Sequence, residues 1–222
     1  MTTPARYAAT FGLLLALGGT STLGSTDGLA KMLTNRAHQY ALTLPHVTPR
    51  GIATGPRATI WFTERDGNAI VRMNAAGKVT TFALPQPPSL PLRIVEGPDA
   101  SMWFTEGYGN AIGRVTQAGR ITEFPLPTRN AYPIGICDGP DGALWFTEHD
   151  AGKISRITVN GIIHEYVLPR KDSSPEMITP GDDGNLWFTE YDGNRIGRIT
   201  PRGKITEFPL PIAGSEPIGI TR

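Results

Sequence analysis

The chain has 222 residues, with 21 Lys and Arg against 20 Asp and Glu, and a formal net charge of +1. Proteins that bind the phosphate backbone of nucleic acids need an excess of basic residues on one face, so we expect no nucleic-acid partner. Cys137 is the only cysteine, which excludes an internal disulfide and a metal site built from cysteines.

The N-terminal segment, residues 1–30, has the pattern of a secretory signal. Arg6 precedes an apolar stretch, Ala8–Leu17, which is followed by the small residues of Gly18–Ser25. The apolar stretch is too short to span a bilayer, so we expect no transmembrane segment. We expect export to the periplasm or the extracellular space; if the segment is instead a disordered or helical extension, the protein is cytoplasmic.

The next segments belong to a tandem repeat. Residues 31–48 are a lead-in with one outer strand, Gln39–Pro45, and residues 49–216 contain the motif WFTE four times at intervals of 42 residues. A constant period of this length, with a tryptophan motif in each copy, indicates one structural unit repeated along the chain. The predicted units are residues 49–90, 91–132, 133–174 and 175–216.

The third unit illustrates the structure of each copy. Turn residues at Asp138–Gly142, Asp150–Gly152 and Asn160-Gly161 separate four short segments rich in aromatic and β-branched residues. This pattern predicts four short antiparallel strands per unit and therefore an all-β chain. Units of about 40–45 residues with four strands and a tryptophan motif are typical of the blades of a β-propeller. A β-helix is the alternative architecture.

The C-terminal segment, residues 217–222, repeats the beginning of a unit. Pro217–Ile220 matches the first strand of the other copies, and we expect it to be the first strand of a further blade that is missing. Four blades are at the low end of the range for a closed propeller, so we expect an open, incomplete part of a larger one. Exposed strand edges and an exposed blade face would then favour self-association.

Residues that break the repeat are the candidates for function. The end of the second strand of each blade lies beside the start of the first strand, at one mouth of the central channel. His149 and Glu176 are irregular residues at this mouth from neighbouring units, and an imidazole with a carboxylate can form an acid–base or metal pair. The alternative is two unrelated surface residues. The candidate catalytic residues are His149, Glu176 and Glu216, and the candidate channel-mouth binding residues are Arg50, Arg65, Tyr132 and Tyr191.

The glutamate of each WFTE motif is a second kind of candidate. Carboxylates around a channel mouth can hold a hard cation, which makes Glu148 and Glu190 candidate metal ligands. The alternative is a structural role, with the glutamates paired to backbone N–H groups or to the arginines that recur at the same interval. The repeated glutamates are Glu64, Glu106, Glu148 and Glu190, and the repeated arginines are Arg72, Arg114, Arg156 and Arg198.

The repeat as a whole resembles that of the virginiamycin B lyases, also called streptogramin B lyases. The elements that carry the resemblance are Gly-Pro-Asp-Gly-x-Leu-Trp-Phe-Thr-Glu, Gly-Asn-x-Ile-Gly-Arg-Ile-Thr and Gly-Lys-Ile-Thr-Glu-Phe-x-Leu-Pro, within residues 39–222. The resemblance implies a seven-bladed propeller and Mg2+-dependent linearisation of streptogramin B depsipeptides, an antibiotic-resistance activity. In that elimination a base takes the proton next to a carbonyl group, the ester C–O bond breaks, and the metal stabilises the developing negative charge.

This chain departs from the family pattern at one position. The resemblance implies a catalytic histidine directly after the proline that opens a first strand, but Arg50, Leu92, Ile134, Glu176 and Ile218 occupy that position here. Three functions therefore remain open. They are a lyase acting on a cyclic ester or lactone, a non-catalytic exported propeller that binds a small molecule or peptide, and a truncated inactive fragment.

Overall fold

A computed structural model of the protein describes residues 48–170 and 172–221, and this part of the chain contains sixteen β-strands. They form four antiparallel sheets, each with its strands in chain order, and each sheet lies within one predicted unit. Blade 1 contains β1 (Pro49–Gly55), β2 (Thr59–Glu64), β3 (Ala69–Met73) and β4 (Val79–Ala83), with a 3-10 turn at Pro56–Ala58. Blade 2 contains β5 (Pro91–Glu96), β6 (Met102–Glu106), β7 (Ala111–Val115) and β8 (Ile121–Pro125). Blade 3 contains β9 (Pro133–Asp138), β10 (Leu144–Glu148), β11 (Lys153–Ile157) and β12 (Ile163–Val167). Blade 4 contains β13 (Pro175–Pro180), β14 (Leu186–Glu190), β15 (Arg195–Ile199) and β16 (Ile205–Pro209).

These sheets confirm the prediction of an all-β propeller built from four-stranded blades. The turns lie where the turn residues predict them: Gly161 has φ of 86°, and its N–H donates to the carbonyl of Thr158 at 2.8 Å. The described residues contain no helix that could cross a membrane. The predicted signal at 1–30 and the strand at Gln39–Pro45 lie outside the described residues.

The repeated aromatic and arginine residues form a stack on each blade. Each WFTE tryptophan lies parallel to an aromatic ring of the fourth strand, as Trp103 does with Phe124 at 5.4 Å between centroids. An arginine of the third strand covers the tryptophan ring, with Arg114 5.3 Å above Trp103. In blades 2–4 this arginine also pairs with an aspartate, for example Arg156 with Asp141 at 2.7 Å. The repeated arginines therefore pair with aromatic rings and aspartates, and the suggested pairing with the WFTE glutamates is wrong.

Neighbouring blades are joined by an apolar core and by the WFTE threonine. Trp145 of blade 3 packs against Ile178 and Phe188 of blade 4. The buried hydroxyl of Thr147 accepts a hydrogen bond from Gly135 N at 2.8 Å and donates one to the carbonyl of Glu176 in the next blade at 3.0 Å. The same donation to the next blade recurs at Thr63 and Thr105. One hydroxyl thus ties each innermost strand to the next.

The innermost strands contact one another in chain order, β1 with β5, β5 with β9 and β9 with β13. Within the described residues β13 has no comparable contact with β1, in agreement with an open arc. Residues 217–221 form no strand, so the strand predicted at 217–222 is not present over its described part. A strand forms by pairing with a neighbouring strand, and within the described residues no further strand follows β16. Thr189 nevertheless donates to the carbonyl of Ile218 at 3.0 Å, the bond that joins the other blades.

Candidate ligand-binding mouth

The mouth of the central channel is built by one backbone pairing in every blade. The WFTE glutamate pairs with the proline that opens the first strand, as Glu148 does with Pro133. The residue after the glutamate then bonds to the residue before the proline, as His149 N does to the carbonyl of Tyr132 at 3.2 Å. The fold therefore brings these irregular positions together at one end of each blade. We call the surface formed by Arg50, Arg65, Tyr132, His149, Glu176, Tyr191 and Glu216 the mouth surface.

The residue before the proline has an unusual backbone conformation. Leu90, Tyr132, Ser174 and Glu216 have φ of 55°, 51°, 48° and 46°. Left-handed backbone costs a residue other than glycine about 1–3 kcal/mol, and it persists where the surrounding structure enforces it. At Leu90, Tyr132 and Ser174 the backbone carbonyl accepts a hydrogen bond from the residue after the WFTE glutamate of the following blade, which holds this conformation at the mouth.

His149 lies between two carboxylates. Its Nδ1 is 2.7 Å from Asp150 Oδ1, and its Nε2 is 3.7 Å from Glu176 Oε2 on the next blade. The structure therefore brings together the two candidates that the sequence places on neighbouring units. When an aspartate accepts a hydrogen bond from Nδ1–H, Nε2 is left to exchange protons with a ligand.

Aromatic rings extend the site towards blade 2. The ring of Tyr132 meets that of His149 edge-on at 6.1 Å and lies 5.8 Å from that of Tyr108. Gly107 makes room for this packing, because a Cβ at that position would lie 3.0 Å from Tyr132 Cε2. The result is a row of rings beside the His149–Glu176 pair.

Charged residues border the row of rings. Arg65 pairs with Asp66 at 2.8 Å and interacts electrostatically with Tyr108 and Tyr132. On the other side, the hydroxyl of Tyr191 donates to Glu216 Oε2 at 2.8 Å. Glu216 is thus bonded to Tyr191, and no contact joins it to His149 within the described residues.

The electrostatics of the pair follow from its partial burial. Burial raises the pKa of Glu176, and the nearby His149 and Arg93 partly oppose the increase. Burial also raises the pKa of Tyr132, with the nearby Tyr108, Asp150 and Glu176 acting in the same direction and Arg50 against it. The mouth surface therefore combines a partly desolvated carboxylate with an imidazole and phenol groups.

Two further residues next to the mouth surface were not predicted from the sequence. Tyr108 stands where the other copies have Asp66, Asp150 and Asp192, and Arg93 stands where two copies have Gly51 and Gly135. Both break the repeat directly after a position that we did consider, so a comparison one residue further along each copy would have identified them.

The WFTE glutamates do not line the mouth. Glu64, Glu106, Glu148 and Glu190 are between 0% and 2% exposed. Burial raises the pKa of Glu106 and of Glu148 to about 7. Glu148 accepts a hydrogen bond from Ser155 at 2.6 Å. Their burial agrees with the structural alternative and not with a cation site open to the channel.

The residues present fit a Mg2+ site poorly. Glu148 and Glu190 lie inside different blades, and no three His, Cys, Asp or Glu side chains of the described residues come together as a metal site. A divalent cation takes several oxygen ligands, so these two glutamates do not form its binding site. Magnesium dependence stays a prediction from the resemblance, and no chemical step below is assigned to a metal.

Comparison with known proteins connects this architecture to a family. The model of the virginiamycin B lyase family matches residues 23–222. Virginiamycin B lyase from Staphylococcus aureus is 44% identical in sequence, with a TM-score of 0.80, over 82% of this chain and 62% of that one. A streptogramin B lyase structure is 43% identical, with a TM-score of 0.80, over 82% of this chain and 61% of that one.

A third solved structure is a catalytically inactive histidine-to-alanine variant of the S. aureus virginiamycin B lyase with quinupristin. It is 46% identical, with a TM-score of 0.80, over 83% of this chain and 63% of that one. The chain thus spans somewhat less than two thirds of the length of these solved relatives, and a search of curated proteins gave no match. The family match and these three likenesses cover all four blades, and the chain belongs to the virginiamycin B lyase family.

Proposed function

We propose that the mouth surface binds a cyclic depsipeptide of the streptogramin B type and opens its ring by carbon–oxygen elimination. The observation that carries the proposal is the placement of His149 Nε2 3.7 Å from Glu176 Oε2, beside the rings of Tyr132 and Tyr108. Family membership supplies the class of ligand, and the irregular residues at the mouth supply the groups that act on it.

His149 is the proposed general base. Asp150 accepts Nδ1–H, so that Nε2 takes the proton from the carbon next to a substrate carbonyl. The electron pair of that C–H bond forms a C=C bond, and the ester C–O bond breaks with its electrons on the departing carboxylate. Glu176 stabilises the imidazolium that forms, and Tyr132 and Tyr108 provide aromatic surface for the ring of the depsipeptide.

The experiment distinguishes elimination from hydrolysis. Purified protein is incubated with quinupristin, with and without Mg2+, and the products are separated by chromatography and fragmented by mass spectrometry. Elimination gives a linear isomer of unchanged mass with a new C=C absorbance, whereas hydrolysis adds one water molecule. A folded wild-type protein that leaves quinupristin cyclic under both conditions would reject the lyase proposal.

Two histidine variants test the assigned base. His149→Ala should lower the rate of ring opening by about 100-fold or more, the usual contribution of a positioned base. His164→Ala is the matched control, because His164 is an exposed residue of the outer strand β12, away from the mouth. Equal rates for the two variants would remove His149 from the mechanism.

Binding without turnover is the second candidate. None of the five positions after the first-strand prolines is a histidine, and this departure from the family favours it. Calorimetric titration with quinupristin would then show binding that Tyr132→Ala weakens, together with no linear product. Absence of both binding and turnover in folded protein would reject this candidate as well.

A further inference from the structure

One blade lacks a charge pair that the other three have. At the turn before the second strand, Asp99, Asp141 and Asp183 hold both the tryptophan indole and the blade arginine. In blade 1 the equivalent residue is Arg57, so a cation replaces the carboxylate at this position.

The surrounding residues accommodate the replacement without another acid. The indole Nε1 of Trp61 donates to Thr59 Oγ1 at 2.9 Å, so this buried tryptophan keeps a partner. Arg72 lies 5.4 Å above the rings of Trp61 and Phe82 and donates through Nη1 to the carbonyl of Gln117 at 2.8 Å. Within the described residues, no carboxylate pairs with Arg57, Arg72 or Lys78.

These residues line a cavity of about 370 Å³. Its wall combines three cations, Arg57, Arg72 and Lys78, with the polar side chains of Asn74, Thr80 and Gln117. Asn74 Oδ1 accepts hydrogen bonds from Ala76 N and Lys78 N at 3.0 and 2.9 Å, which leaves its amide N–H groups as donors. No acidic side chain is part of the wall.

The cavity is separate from the mouth surface. Thr59 opens β2 at the end of the blade that borders the cavity, and Glu64 closes the same strand at the mouth. A ligand in the cavity would therefore occupy the far end of blade 1.

We propose that this cavity binds a small tetrahedral oxyanion, either free phosphate or the phosphate group of a larger ligand. Two guanidinium groups and an ammonium group line the cavity, and no carboxylate of its wall offsets their positive charge. Guanidinium groups also match the oxygen geometry of phosphate. In blades 2–4 the carboxylate of the turn aspartate occupies the position of this anion. In blade 1, where Arg57 replaces the aspartate, an oxyanion from solution binds at that position instead.

The test measures binding of inorganic phosphate at constant ionic strength, with sodium chloride as the replaced salt, by calorimetry and by 31P line broadening. Arg57→Asp restores the aspartate of the other blades and should weaken binding at least about tenfold, the usual effect of losing a charged hydrogen-bond partner. Binding of a phosphate monoester at least as tightly as inorganic phosphate would assign the site to the phosphate group of a larger ligand. Tighter binding of inorganic phosphate would assign it to the free ion.

A second pair of variants keeps the proposal testable if Arg57→Asp does not fold. Lys78→Ala should weaken phosphate binding several-fold. Lys204→Ala, at the equivalent position of blade 4 where Asp183 is present, should leave it unchanged. Equal affinities of these two variants for phosphate, or a wild-type protein that binds no phosphate, would overturn the proposal.

Discussion

At the scale of single residues, the sequence pattern predicts a structural role for the WFTE glutamates but not their hydrogen-bond partners. Their exact recurrence favours a structural function, and their burial agrees with it. Their partners differ between blades, because Glu148 bonds to Ser155 whereas blades 2 and 4 have Gly113 and Gly197 at that position. A motif common to all copies carries no information on such a difference.

Glu148 should make the protein less stable as the pH rises. Burial raises its pKa to about 7 in the folded protein, against about 4.3 in an unfolded chain. Between these values the folded state binds more protons, so its stability falls as the pH increases from about 4.5 to 7. The variant Glu148→Gln cannot ionise and so lacks this loss. Urea unfolding should show that its free energy of unfolding, relative to that of the wild type, increases by up to about 3 kcal/mol between pH 5 and pH 8.

Glu165 provides a control of opposite sign. Burial raises the pKa of Glu165, but the hydrogen bonds from Lys153 and Thr128 lower it by a larger amount, so the pKa lies below its usual value. Its contribution is present above the unfolded pKa and is lost as the pH falls, so Glu165→Gln should destabilise the protein more at pH 8 than at low pH. A difference between Glu148→Gln and wild type that is the same at both pH values would contradict the assignment for Glu148.

The candidate site was partly predictable at this scale. His149 and Glu176 were identified because they break the repeat at positions that the blade geometry brings together. The hydrogen bond of His149 to Asp150 was not predicted, because Asp150 matches the aspartates of two other copies and looks structural. Side-chain direction, which decides such contacts, follows from packing and not from the repeat.

At the scale of elements, the strands and turns follow from local sequence. The Asn-Gly pair at 160–161 predicts its hairpin, since Gly161 adopts the left-handed backbone that the turn requires. The strand predicted at 217–222 fails because strand formation needs a partner, which a short local sequence does not supply.

A glycine of β7 tests how closely the strands of a blade are packed. A Cβ at Gly113 would lie 2.1 Å from Phe104 Cε2, so the buried ring would have to move. Gly113→Ala should destabilise the protein by about 1–3 kcal/mol, the usual cost of overpacking a core. Urea unfolding measures the change.

Gly219 is the matched control for this substitution. A Cβ there meets no atom within 4 Å, so Gly219→Ala should leave the free energy of unfolding nearly unchanged. Equal losses for the two variants would show that the ring of Phe104 does not limit position 113.

At the scale of the whole molecule, blade 4 differs from the other three blades because no further blade covers it within the described residues. Trp61, Trp103 and Trp145 are fully buried, whereas Trp187 is only partly buried. Phe208 in β16 and Ile218, which follows blade 4 in the chain, are 40% and 51% exposed. The repeat predicts this uncovered face, because each blade packs against its successor and the fourth has none among the described residues.

This face should cause association that depends on concentration. Analytical ultracentrifugation should show larger species at high protein concentration, and Phe208→Glu should reduce them by placing a charge on the apolar face. Ile162→Glu is the control, because Ile162 is equally apolar and 57% exposed but lies in a turn of blade 3. A wild-type protein that stays monomeric at all concentrations, or equal effects of the two variants, would contradict this prediction.

The left-handed backbone before each first-strand proline has a consequence for engineering. Leu, Tyr, Ser and Glu occupy this position in successive blades with nearly the same φ, between 46° and 55°. Because four different side chains share this backbone conformation, the identity of the side chain can change while the direction in which it leaves the backbone stays the same. Positions 90, 132, 174 and 216 therefore form a fixed display on which randomised libraries could select new ligand specificities without redesign of the scaffold beneath.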